Sequence, residues 1–480
     1  MNAPQKNAMD TVAEFVQSPS LAELPPALFD RVKLHLLDTL GALLAGSRTP
    51  EGIAIGRLLD SDKGAGGVEV PGYPFTVDLA TAVMVSCAAA RLSEVDDIHL
   101  ASCTTPGSVI IPAALALASA GELSTFGEFA AAVTAGYEML IRLGLAVNGP
   151  AILQKKMWPT YFAAAFGSAA TASRAWGLSA EQTAGALATA LASATGTAIS
   201  GRSPATSRWL TIGAAASSGV RAAQIARQGF LGDSDLLERY GGRIAGLRVS
   251  TKRLLGGLGR RYRFDEIGTK PYPVARQALA AVEAARELVQ AERLDVAAME
   301  EIVVRVPGAQ LGIINHPEVP GHRLASIISA QYQIALALLA PERLFDTRRT
   351  PPFADGPLRE LMAKVRVERA PELEKHYPAR WPGEVAVKAN GRWLSRQVLE
   401  PQGDARNRFD WDGAVRKFQT IAGPVLGSGE ADRVASLVRS LDAAAGMPAL
   451  WQMHAPVNPF SVRQGQEISM TKSQILNNSQ

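Results

Sequence analysis

The sequence predicts a mainly α protein, a large all-helical domain with a smaller α+β domain inserted late in the chain. Three observations carry that expectation. With 480 residues the chain exceeds the roughly 250–300 at which one hydrophobic core stops growing. Up to about residue 265 the apolar residues recur at helical spacing. From residue 266 strand signals mix with helix signals, and helical patterns return after residue 405. The boundaries expected are 9–265 for the first helical part, 266–405 for the α+β domain, 406–462 for a returning helical part and 463–480 for a polar, disordered tail.

In order along the chain, Leu28, Phe29, Val32, Leu36, Leu40 and Leu43/Leu44 recur at intervals of three and four, which sets them on one helix face directed at a core. Residues 163–175 and 185–200 are rich in Ala, Gly, Ser and Thr, and small side chains let helix backbones approach closely. The run TKPYPVARQALAAVEAARELV opens a helix behind two prolines, and MEEIVVRVPG reads as a strand. In EVAVKANGRWLSRQV two strand-like runs flank Asn390-Gly391, a strong hairpin signal. Residues 411–418 and 431–445 return to helix and rejoin the first domain.

Composition excludes several classes. A hydrophobic content of 47% with 20% charged residues is ordinary for a globular protein. The net charge is +4, and the densest basic cluster, Arg260-Arg261-Tyr262-Arg263, is short enough for a solvated turn, so no nucleic-acid partner is expected. Two cysteines, Cys87 and Cys103, are too few for a disulfide scaffold or a CxxC metal site. The start MNAPQKNAMD lacks a signal-peptide pattern, and apolar runs such as 109–120 fall short of the ~20 residues that span a bilayer. A cytoplasmic protein without membrane association is expected. No P-loop, HExxH, GxSxG or clustered metal-ligand motif is found, and Gly256-Gly257-Leu258-Gly259 lacks dinucleotide-binding spacing. No metal is expected.

Three segments place proline near a helix start: Thr104-Thr105-Pro106-Gly107, Trp158-Pro159-Thr160 and Tyr272-Pro273-Val274. Helix N-termini attract anions, and Lys155, Lys156, Lys270 and Arg276 lie close by in sequence. If these starts converge they make a carboxylate pocket; taken singly, proline there merely begins a helix. The stretch EVDDIHLASCTTPGSVIIPAALALA also offers Asp96-Asp97 and His99. A carboxylate beside an imidazole suits general acid/base work, and it equally suits anchoring a loop through backbone N–H groups. His35, His376 and His454 fit structural or exposed roles. His316 and His322, in NHPEVPGHR, fit a solvated loop or one that closes over a cleft.

The blocks ALFDRVKLHLLDTLGALLAG, EVDDIHLASCTTPGSVIIPAALALA, WPTYFAAAFGSAATASRAWGL, KPYPVARQALAAVEAA and SAQYQIALALL resemble, in order, those of the MmgE/PrpD family over residues 10–460. That family includes 2-methylcitrate dehydratase, cis-aconitate decarboxylase and iminodisuccinate epimerase. The resemblance implies a helical domain built from both chain ends, an α+β lid, a cleft between them, a homodimer and no cofactor. It implies a small carboxylate substrate and proton abstraction or elimination beside a carboxyl group, as in a dehydratase, decarboxylase or isomerase/epimerase. With the residues themselves, it leads us to expect catalytic roles for Asp97, His99, Lys270, Tyr272 and Tyr332, and substrate binding by Thr104, Thr105, Trp158, Thr160, Arg208 and Arg276.

The chain also departs from the family pattern. Ile98 stands in place of a threonine, Thr105 in place of a histidine before Pro106, Trp158 in place of a histidine before Pro159, and Ala275 in place of a cysteine before Arg276. Arg208 falls where a lysine is usual. With the family histidines largely replaced, two readings follow: an enzyme with altered catalytic residues, or a non-catalytic carboxylate-binding or structural relative.

Overall fold

A computed structural model describes residues 6–61, 64, 66–194 and 205–453. The fold is mainly α. The Leu28 pattern becomes a helix over Pro26–Gly46 that buries Leu28, Val32, Leu36, Leu40, Leu43 and Leu44. Phe29, at the rim of that face, meets Phe126 edge-on with ring centroids 5.1 Å apart.

Against it pack the helices Leu79–Leu92, Gly107–Ser119 and Phe126–Ala146, and Pro159–Ala175 and Ser207–Arg227 pack on these in turn. The small residues serve the close approach expected of them. A Cβ added to Gly219 would lie 2.0 Å from the carbonyl oxygen of Ala165, so only glycine lets these two helices meet there. The helix expected over 185–200 spans Ala180–Ala192, and residues 195–200 lie outside the described residues. Phe126–Ala146 is long and apolar enough to cross a membrane, longer than any run anticipated, but 94% of its most apolar window is buried inside the protein.

The strand expected in MEEIVVRVPG spans Met299–Val306 and lies inside a four-stranded sheet. It pairs in parallel with Val365–Arg369 and antiparallel with Gly383–Ala389, which in turn pairs with the edge strand Arg392–Val398. The last two form the expected hairpin. Asn390 and Gly391 both take positive φ, 51° and 75°, as a tight turn of this handedness requires. The helix Arg276–Glu292 packs across these strands and on Ala330–Leu339.

The apolar interior falls into two main clusters. One draws on residues from Ala8 to Ile267 and again from Phe418 to Met453; the other draws only on residues between Tyr272 and Val398. The returning helices are Trp411–Leu426, longer than expected, and Ser428–Ser440, which stops short of residue 445. The expected tail, 463–480, and His454 lie outside the described residues.

Proline placement at the three helix starts needs correction. Only Pro159 opens its helix; Pro106 occupies the N-cap of Gly107–Ser119, and Pro273 precedes the Arg276–Glu292 helix by three residues.

Candidate active site

Residues Ile98–His99 form a two-residue antiparallel ladder with Ile267–Gly268, Ile98 opposite Gly268 and His99 opposite Ile267. Carried two residues further, the same register sets Asp96 opposite Lys270, and Lys270 Nζ lies 3.1 Å from Asp96 Oδ1. Gly268 permits this crossing, since a Cβ there would lie 2.7 Å from the carbonyl oxygen of Gly403. Along the first segment the side chains alternate as in a strand. Asp96 and Ile98 turn towards the cavity described below, and Asp97 and His99 turn away from it.

Arg91, in the last turn of Leu79–Leu92, donates from Nη1 to Glu94 Oε2 and Asp96 Oδ1, each at 2.8 Å. Glu94 reaches this position with φ at 58°, in the left-handed region. Its other oxygen accepts from Trp209 Nε1 at 2.9 Å. Burial would raise the Glu94 pKa, but Arg91, Arg208 and Lys270 outweigh it and hold the carboxyl well below the usual range. Burial lowers the pKa of the Lys270 ammonium, against the opposing pull of Asp96 and Glu94. Arg91, Glu94, Asp96 and Lys270 are all buried.

Arg91, Glu94 and Lys270, joined through Asp96, border a cavity of about 150 Å³ to which all three expected segments contribute, through Thr105, Trp158 and Val274 to Gln277. Five cations line it: Arg91, Lys156, Arg208, Lys270 and Arg276. Arg276 is buried and bonded through Nη2 to Asp404 Oδ2 at 2.5 Å, while its Nη1 has no hydrogen-bond partner in the protein. Burial lowers the Arg276 pKa and Asp404 opposes that shift. The indole Nε1 of Trp158 is likewise buried without a partner, and Arg91 lies 5.9 Å from the Trp158 ring centroid. No side chain caps the Arg276–Glu292 or Pro159–Ala175 helices, so their positive ends add to the field of the cations.

Of the residues expected at the site, the structure gathers Lys270, Thr105, Trp158, Arg208 and Arg276 on the cavity wall. The others lie elsewhere. Asp97 is fully buried beneath the start of the Gly107 helix; its Oδ1 accepts from Gly107 N at 2.7 Å and its Oδ2 from Tyr137 Oη at 2.9 Å. His35, buried on its helix, brings Nδ1 to 3.2 Å from the same oxygen. Burial pushes the Asp97 pKa up to about 7. His99 points to Ser102 Oγ at 2.8 Å and to Glu266 Oε2 at 3.2 Å, and burial lowers its pKa. Thr104 bonds Ser102, and Thr160 accepts from the Thr105 amide at 3.0 Å, behind the wall. The anion-binding capacity expected of the Gly107 helix start is therefore largely taken by Asp97. Tyr272 borders a different surface cavity, and Tyr332 is buried with the Arg349 guanidinium 5.8 Å from its ring centroid; burial raises the pKa of both phenols.

Sequence reasoning missed Arg91, Glu94 and Gln277, and it chose Asp97 where the structure bonds Asp96 to Lys270. It also placed His316 in a solvated loop. His316 lines the cavity and is buried, held because its N–H donates to Gln331 Oε1 at 3.1 Å and its carbonyl accepts from Ser329 Oγ at 2.7 Å. His322, by contrast, caps the short helix Arg323–Ile328. Among the described residues no group of three or more His, Cys, Asp or Glu is placed to hold a metal ion.

The structure thus shows a mainly helical protein with a cation-lined cavity whose wall draws on both sides of the 98–99 ladder. Comparison with known proteins gives the family. The sequence profile of the MmgE/PrpD N-terminal domain matches residues 10–251, and that of the MmgE/PrpD C-terminal domain matches residues 272–443. The chain belongs to the MmgE/PrpD family. It is 25% identical over 463 residues to a cis-aconitate decarboxylase of Aspergillus terreus, covering 91% of this chain and 93% of that one. It is 27% identical over 254 residues to the cis-aconitate decarboxylase-like protein oryM of Aspergillus oryzae, about half of each chain. The relatives identify an MmgE/PrpD-type enzyme with lyase kin.

Proposed function

We propose that the chain is a cofactor-independent lyase that binds a small carboxylate in this cavity and removes CO₂ from it, with Lys270 handling the proton. The observation that carries the reading is Lys270 itself, a buried amine bonded to Asp96 on a wall shared with Arg91, Arg208 and Arg276. The guanidinium groups hold carboxylate, where charge-assisted bonds are the stronger kind. As the carbon–carboxyl bond breaks, CO₂ leaves and the electron pair remains on carbon. The Lys270 ammonium then delivers a proton to that carbon, and solvent reprotonates the amine. Burial suits this role by bringing a lysine pKa towards neutrality. Decarboxylation is favoured over dehydration or epimerisation because the relatives are decarboxylases.

In this reading the α+β part acts as a lid. Support comes from the cavity wall, which joins Trp158, packed on the first apolar cluster, to Val274 of the second. We propose a homodimer as well, supported by exposed Ile225, Phe230, Leu231 and Tyr240 on one short stretch of chain. Light scattering should then give about twice the 50.7 kDa of one chain.

A turnover assay across unsaturated and hydroxylated mono-, di- and tricarboxylates, reading CO₂ release, tests the reaction. CO₂ release from one member supports the lyase. Binding without turnover of any member would instead favour a non-catalytic carboxylate binder, the alternative raised by the replacement of the family histidines.

A further inference from the structure

The cavity has two chemically different faces. Arg91, Glu94, Asp96 and Lys270 form one bonded, charged face. Opposed to it in character, Ile98, Leu153, Trp158 and Ile313 belong to a single contiguous apolar cluster, and all four line the cavity. Two residues that depart from the family pattern, Ile98 and Trp158, therefore fall on the same face. A tricarboxylate offers nothing to such a face, and every polar group set against it would lose its hydration without compensation.

The charge balance points the same way. The five lining cations are matched by three carboxylates, Glu94 on the wall, Asp96 bonded to Arg91 and Lys270, and Asp404 bonded to Arg276. Five against three leaves two positive charges for a ligand, which two carboxylates neutralise. The unpartnered Nη1 of Arg276 supplies one ready donor. A cavity of about 150 Å³ must hold the carboxylates as well, so the apolar part is compact.

We propose that the cavity selects a dicarboxylate bearing one compact apolar substituent, a branched aliphatic group of a few carbons, over unsubstituted dicarboxylates and over tricarboxylates. The proposal rests on the carboxylate reading of the same site. The substituent lies against Trp158 and Ile98, and the carboxylates face Arg276 and Lys270.

Calorimetric titration of the full-length protein with succinate, methylsuccinate, isobutylsuccinate and citrate tests it. Kd should fall about fourfold for each buried carbon added to succinate, and citrate should bind more weakly than isobutylsuccinate. A flat series, or citrate as the tightest ligand, overturns the selectivity while leaving the carboxylate site intact. Failure of all four to bind removes the carboxylate site and the selectivity together. The variants Trp158→His and Ile98→Thr, each checked for folding by its melting curve, should bring the ratio of isobutylsuccinate to succinate affinity towards one. If the ratio is unchanged in whichever of them folds, the apolar face is not what selects the ligand.

Discussion

Asp96 and Lys270 face each other two residues beyond a two-residue ladder, Oδ1 3.1 Å from Nζ, though 174 positions separate them in sequence. The pair joins the link between the Leu79–Leu92 and Gly107–Ser119 helices, both packed in the first apolar cluster, to the chain just before the second begins. Lys270, the group proposed to handle the proton, is thereby held between the two clusters.

Asp96 raises the Lys270 pKa against the lowering effect of burial. Asp96→Asn should therefore lower that pKa further. If the ammonium is the proton donor, turnover falls as pH rises through the lysine pKa, and the variant should show that fall at lower pH than the wild type. A pH–rate profile with an unmoved limb would mean that another group titrates.

Arg276 is expected to hold a substrate carboxylate through its unpaired Nη1. Arg276→Lys keeps a charge near Asp404 but loses the second donor. It should weaken carboxylate binding by about 1.5–3 kcal/mol, the worth of a charge-assisted bond, with Kd from calorimetry as the readout.

How much of this was legible in sequence depends on the range of the contacts involved. The Leu28 face and the Asn390-Gly391 hairpin are local patterns and emerged as expected. Lys270, Arg276, Thr105, Trp158 and Arg208 reach the cavity because the Pro159 and Arg276 helices begin beside it and the 98–99 ladder brings Lys270 there. Asp97 rather than Asp96 was the expected acid, because adjacent residues on an extended segment face opposite ways and only pairing with residues 267–268 decides which way is inward. Arg91 gave no local signal, for a basic residue in the last turn of a helix ordinarily complements the dipole. His316 was read as exposed from its prolines; the bonds from Gln331 and Ser329 that bury it lie 13–15 positions away.

Asp97 should govern the pH dependence of stability. Its carboxyl pKa is raised by burial to about 7, so between about pH 4 and 7 the folded state binds more protons than the unfolded one. Stability from this group therefore falls as pH rises through that window. Asp97→Asn removes the titration while keeping an acceptor for Gly107 N. The difference in Tm, wild type minus variant, should shrink from pH 4 to pH 8, and a constant difference would contradict the assignment.

Gly107→Ala should destabilise the protein by about 1–3 kcal/mol, the usual cost of overpacking a filled interior. Its Cβ would lie 2.7 Å from Asp97 Oδ2, and that carboxylate is already fixed by Gly107 N and Tyr137. Denaturant titration gives the number, and a change below about 0.5 kcal/mol would show that Asp97 can move aside.

The central claim is that Lys270 carries the proton in a cavity that binds carboxylate. Lys270→Arg preserves the positive charge beside Asp96 but holds its proton at a pKa above 12. Measured on whichever carboxylate the wild type turns over, kcat should fall by about 10² to 10⁴ while KM changes by less than tenfold. A kcat within a few-fold of wild type would contradict the account.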